Sequence, residues 1–119
     1  MPANFNSVQL MGRLCFDPSE KPLEEGKKLV GFRMAINHKY KQKGEWKQTT
    51  CFVEVKAWDN LAETCKNLRK GSLVFLEGYL KNREFSEDGK KKTILEVTAR
   101  QVKFLDQMEK IEPGDDFLE

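Results

Sequence analysis

Three cysteines and a single histidine in 119 residues exclude several kinds of chemistry at once. Cys15, Cys51 and Cys65 are too few and too scattered for a disulfide scaffold, and no C-x-x-C pair points to a metal site. His38 has no identifiable acid or nucleophile partner. Neither a Gly-rich phosphate loop nor a G-x-S-x-G turn occurs. The chain is therefore not expected to be an enzyme, and no cofactor is expected. No apolar run approaches the ~20 residues that span a bilayer, and no basic-then-apolar leader opens the chain. A reducing cytoplasm without membrane contact is the expected setting.

What remains is a polar, soluble composition, 39% hydrophobic and 34% charged, in a length that suits one core. The formal net charge of +2 conceals a division. Residues 1–105 carry 20 Lys and Arg against 13 Asp and Glu, or +7, whereas 106–119 carry one Lys against six acids, or −5. A basic domain over 1–105 and an acidic, disordered tail over 106–119 are expected.

Turn signals at Asp17-Pro18-Ser19, Gly26, Lys43-Gly44, Lys70-Gly71 and Glu87-Asp88-Gly89 divide the chain. Between them the period is mostly two, the mark of half-buried antiparallel strands. Val8, Leu10, Gly12, Leu14 and Phe16 share one face, as do Val30, Phe32, Met34 and Ile36. In the last strand Leu95, Val97 and Ala99 point inward against Glu96, Thr98 and Arg100. One segment, Asn60 to Lys70, has helical spacing in Leu61, Cys65 and Leu68, with Asn60 as N-cap, Glu63 in the capping-box position and Gly71 as stop. Three strands, a short helix and two strands give the order of an all-β, five-stranded OB-fold, a Greek-key barrel with its helix between strands 3 and 4. An SH3-like barrel or a meander sandwich also has five strands, but neither normally places a helix there.

The candidate site begins in the third strand. Cys51, Val53, Val55 and Ala57 form an apolar face, which puts Phe52 and Trp58 beside Glu54 and Lys56 on the polar one. In the fourth strand Val74, Leu76 and Leu80 share one face, and Tyr79, Lys81, Arg83 and Phe85 alternate on the other. Tyr40 and Trp46 flank a connection rich in lysine, including Lys39, and Arg33 faces away from the core in the second strand. Large rings among cations are poorly explained as core. They suit single-stranded nucleic acid, whose bases stack on rings and whose phosphates meet Lys and Arg. Stacking alone does not separate DNA from RNA. An OB-fold protein-interaction module of the primosome accessory kind, or an RNA-binding OB domain, is the alternative.

Several motifs in order resemble the bacterial single-stranded DNA-binding proteins of the homotetrameric type. They are Asn6-Ser-Val-Gln-Leu-Met-Gly-Arg-Leu14 with Asp17-Pro18, Leu61-Ala-Glu63, and above all Leu68-Arg-Lys-Gly-Ser-Leu-Val-Phe-Leu-Glu-Gly-Tyr-Leu80. The resemblance covers roughly residues 5 to 105. It implies base stacking at Tyr40, Phe52, Trp58 and Phe85, with rings conserved in kind but exchanged: Trp is usual in the family at the first, second and fourth of these, and Phe at the third. It also implies a role in replication, repair and recombination in the bacterial cytoplasm, at the nucleoid, and a homotetramer, with a dimer as second choice. Val53 stands where some members use a histidine in subunit contacts.

The family's acidic tip docks replication and repair proteins, and Gly114-Asp115-Asp116-Phe117 looks like a shortened version. Leu118-Glu119 follows the Phe, where the family's signal ends on a free carboxylate. A cloning remnant, an ordinary acidic terminus and a tail that competes with DNA for the basic body are the three readings.

Overall fold

The alternating stretches become long strands, and two-residue turns set where they reverse. The structure, a computed structural model, describes residues 3–105. The expectations for the 106–119 tail, including Asp115, Asp116 and Phe117, lie outside the described residues. Strands β1 (Val8–Leu14), β2 (Ser19–Pro22), β3 (Lys28–Gln42) and β4 (Glu45–Trp58) precede helix α1 (Asp59–Cys65), and β5 (Leu73–Glu87) and β6 (Lys90–Phe104) follow it. Lys43-Gly44 and Asp88-Gly89 both hold positive φ at their two residues, the backbone of tight turns whose twist matches the flanking strands.

The sheet runs β1-β5-β6-β4-β3-β2, and an additional β1–β3 pairing closes it into a barrel. Five strands with α1 between β4 and β5 form the expected OB-fold. The sixth, β2, is four residues that pair along the Lys28–Gly31 end of β3; its polar sequence carries no strand signal. Closure at β1 requires Gly12, because a Cβ there would run into the carbonyl oxygen of Ala35. The core holds Met34, Leu68, Leu76, Val30, Val55, Val74, Val97 and Cys65. Burial pushes the Cys65 thiol from its ordinary 9.0 up to about 11.

Four expectations need correction. Helix α1 spans seven residues, Asp59–Cys65, not Asn60 to Lys70. Its cap residue is Trp58, without a side-chain cap bond. Glu63 instead pairs with Lys28 and Lys66. Leu68 is still buried, carried inward by a turn in which its N–H donates to the Cys65 carbonyl at 3.1 Å. Phe16 lies past the end of β1 and is exposed.

The third correction concerns β6. Leu95 is 61% exposed, whereas Glu96 and Thr98 are 5% and 7% exposed. Strand β6 pairs with β4 only at Val55↔Val97 and Lys56↔Thr98. Around that point it is flanked on both sides, so Thr98 lies beneath neighbours on β5 and β4. Leu95 already belongs to the β5–β6 hairpin arm beyond the barrel, where no sheet lies opposite. The same run-off exposes Cys51 on β4 and Leu80 on β5, the fourth correction to the apolar faces.

Candidate nucleic-acid interface

Strand register places most of the candidate residues on one surface. Across β3 and β4, Gly31 pairs with Lys56, Arg33 with Glu54 and Leu29 with Trp58. Across β4 and β6, Lys56 pairs with Thr98, and across β6 and β5, Thr98 pairs with Tyr79 and Glu96 with Lys81. Paired residues point to the same side. Arg33, Lys39, Trp46, Phe52, Lys56 and Trp58 therefore share a face with Tyr79, Lys81, Arg83 and Phe85. The platform crosses the barrel wall and continues up both hairpin arms.

Its rings are open to solvent in part. Trp46 is 72% exposed, Phe52 60% and Trp58 39%; Tyr79 and Phe85 are half-buried. Four of the rings carry a cation: Arg33 lies 6.0 Å from the centroid of Phe52, Lys41 5.9 Å from Trp46, Arg83 5.5 Å from Phe85 and Arg100 4.8 Å from Tyr79. A cation over a ring is attracted to its π-face.

All three of these arginines are shared with acids, Arg100 with Glu77 at 3.7 Å. Arg33 Nε donates to Glu54 Oε1 at 2.7 Å, and Arg83 Nε donates to Glu96 Oε2 at 3.1 Å. Arg33 thus meets Phe52 and Glu54 on its partner strand β4, whereas Arg83 meets Phe85 on its own strand and Glu96 on β6. Lys39, Lys56 and Lys81 make no ion pair among the described residues. Lys56 lies across Gly31, where a Cβ would sit 3.0 Å from its Nζ. An open groove of about 340 Å³ is lined by Leu29, Lys56 and Trp58 from the β3–β4 side and by Lys81, Arg83 and Glu96 from the β5–β6 side, among others. Trp58 and Lys56 thus lie across it from Lys81 and Arg83.

Tyr40 is not brought onto this platform. It pairs with Lys47 and alternates with Ile36 and His38, on the opposite side of the β3–β4 ribbon. There its ring stacks on His38, with centroids 6.1 Å apart and planes 15° apart. Residues that strand alternation alone did not single out as part of the site are Arg100, Lys41 and Glu96. Arg100 and Glu96 have the outward parity of β6, but nothing local distinguishes them from ordinary surface charges.

Residues 5–105 match the model of the Single-strand binding protein family. The chain is 37% identical over 109 residues to "Single-stranded DNA-binding protein 2" of Chlorobaculum tepidum, spanning 88% of this chain and 74% of that one. It is 35% identical over 104 residues to the single-stranded DNA-binding protein of Aquifex aeolicus, spanning 86% and 71%. Among solved structures, a Plasmodium falciparum SSB in complex with ssDNA superposes with a TM-score of 0.80 at 28% identity, over 89% of this chain and 99% of that one.

Proposed function

Because the chain belongs to the single-strand binding protein family, we infer that it coats and protects single-stranded DNA, without sequence specificity and without chemistry, in replication, repair and recombination. The observation that carries this is the continuous face on which Phe52, Trp58, Tyr79 and Phe85 alternate with Lys56, Lys81 and Arg83. Unpaired bases stack on the rings, each worth ~1–3 kcal/mol, whatever their identity. Phosphates run past Lys39, Lys56 and Lys81, releasing counterions, so affinity falls as salt rises. A duplex hides the faces of its bases and is disfavoured by the same geometry.

The domain over 1–105 is the binding unit in this reading, and the acidic 106–119 segment recruits replication and repair proteins through Asp115, Asp116 and Phe117. A homotetramer in the bacterial cytoplasm, at the nucleoid, follows from the family resemblance, and exposed apolar side chains at Leu80, Leu95 and Phe104 support association of copies. No helix among the described residues is long and apolar enough to cross a membrane.

A titration of the protein with dT oligomers of increasing length, read by tryptophan emission and molecular mass together, tests ligand, site size and assembly. Quenching that saturates and weakens with salt is expected. Absence of binding in dilute buffer would overturn the assignment, and equal affinity for oligo-U would extend it to RNA.

A further inference from the structure

Most groups on the platform suit either a phosphate or the flat face of a base, but the carboxylates Glu54 and Glu96 suit neither, and Glu96 is the more buried of the two. It lines the groove together with Trp58, Lys81 and Arg83, and it is 5% exposed. Oε2 accepts from Arg83 Nε at 3.1 Å. Oε1 accepts no hydrogen bond among the described residues. An ionised carboxylate has acceptors only, and one set in a groove for phosphates opposes their charge. Among the described residues the fully buried side-chain atoms without a hydrogen-bond partner are Glu63 Oε1 and Thr98 Oγ1; Glu96 Oε1 is therefore open to the groove, where a ligand that brings a donor edge can reach it.

We propose that Glu96 makes the groove base-selective: with a base stacked against Trp58, Oε1 accepts a hydrogen bond from an amino-bearing edge. Cytosine offers N4, adenine N6, and guanine N2 beside its N1–H. Thymine has a single edge donor, N3–H, flanked by two carbonyl oxygens that repel the carboxylate. Glutamate accepting from cytosine N4 is an established pairing for base discrimination. Arg83 holds the carboxylate in place from the phosphate side, so one pair serves backbone and base together. Stacking on Phe52, Tyr79 and Phe85 stays tolerant of sequence, so the outcome is a bias at one position, not a recognition motif. The inference rests on the reading that unpaired DNA occupies the platform.

The test compares (dC)8 and (dT)8 binding to the wild-type protein and to E96Q at neutral pH, by tryptophan quenching. Glutamine keeps the shape but presents N–H₂ as well as C=O, so thymine O4 gains a donor while cytosine N4 loses a charged acceptor. The ratio of dC to dT affinity is expected to fall about fivefold in E96Q. If Glu96 only positioned Arg83, both affinities would change by one common factor, and the proposal would be overturned. Should E96Q not fold, E96D, which keeps the charge but withdraws it by one methylene, must lower the same ratio; an unchanged ratio overturns the proposal. Wild-type protein that binds neither oligomer overturns both readings, whereas binding with an unaltered ratio overturns this one alone.

Discussion

The guanidinium of Arg100 lies 4.8 Å from the ring centroid of Tyr79, on the strand next to its own. The register jumps between Glu77↔Gln101 and Gly78↔Ala99, which leaves Arg100 as the extra residue of a bulge in β6. A bulge bends its strand and re-aims a side chain. Gly78 permits it, since a Cβ there would meet the carbonyl oxygen of Thr98. Backbone irregularity thus places a cation over a ring at the end of the platform, and the site's predicted behaviour follows from such placements.

Replacing Trp58 with Ala removes the indole from the groove wall without opening the core, since the residue is 39% exposed. Affinity for oligo-dT should fall by ~1–3 kcal/mol. The remaining quench should come from Trp46 on the arm. Unchanged affinity in a fluorescence-independent assay would remove Trp58 from the site.

Lys56 and Lys81 make no ion pair among the described residues, so each can give its whole charge to a phosphate. Either Lys→Ala change should flatten the plot of log affinity against log salt by ~0.7. Arg83→Ala should do this and also lower the melting temperature, because it strands the buried Glu96 carboxylate at a cost of about 1–3 kcal/mol. Titrations at four salt concentrations and a thermal melt separate the two cases.

Tyr40 and Phe52 should behave differently. Phe52→Ala is expected to weaken oligo-dT binding by ~1–3 kcal/mol, whereas Tyr40→Ala, on the other side of the β3–β4 ribbon, should change it by much less. Equal losses would mean that the DNA path crosses both faces of the arm.

The exposed Cys51 and the buried Cys65 should react separately. Cys51 is exposed and Cys65 buried, with its thiol pushed up to about 11. At pH 8 a thiol reagent should label Cys51 first and Cys65 only on unfolding. Between pH 9.0 and about 11 the unfolded chain loses the Cys65 proton while the folded chain keeps it, so this group's contribution to stability falls as pH rises through that window. A Cys65→Ala control should lose that part of the pH dependence in denaturant melts.

Gly12→Ala should destabilise the fold by about 1–3 kcal/mol, because the added Cβ meets the Ala35 carbonyl where β1 closes on β3. A denaturant melt checks it, and an unchanged midpoint would show that β1 can shift away.

The residues themselves specified a good deal. Alternation is set by the pleat of each strand and needs no partner, so the inward run Val30, Phe32, Met34 and the outward pair Phe52, Trp58 could be read directly. Lys43-Gly44 and Asp88-Gly89 announced both hairpins, and interleaved rings and cations announced the ligand class. Burial is a different quantity, since it depends on what covers a face from elsewhere in the chain. Thr98 is buried because β4 and β5 flank it, Glu96 because it lies under its Arg83 pair beside that point, and Leu95 is exposed beyond the end of the β4–β6 pairing. Short β2 exists only because the edge of β3 is there to pair with. Tyr40 has the same composition signal as Phe52, and its side of the ribbon was settled by the register of β3 against β4. Local patterning chose the strands and the aromatic set; non-local packing chose which charges sank beneath the rings and which rings came to share one surface.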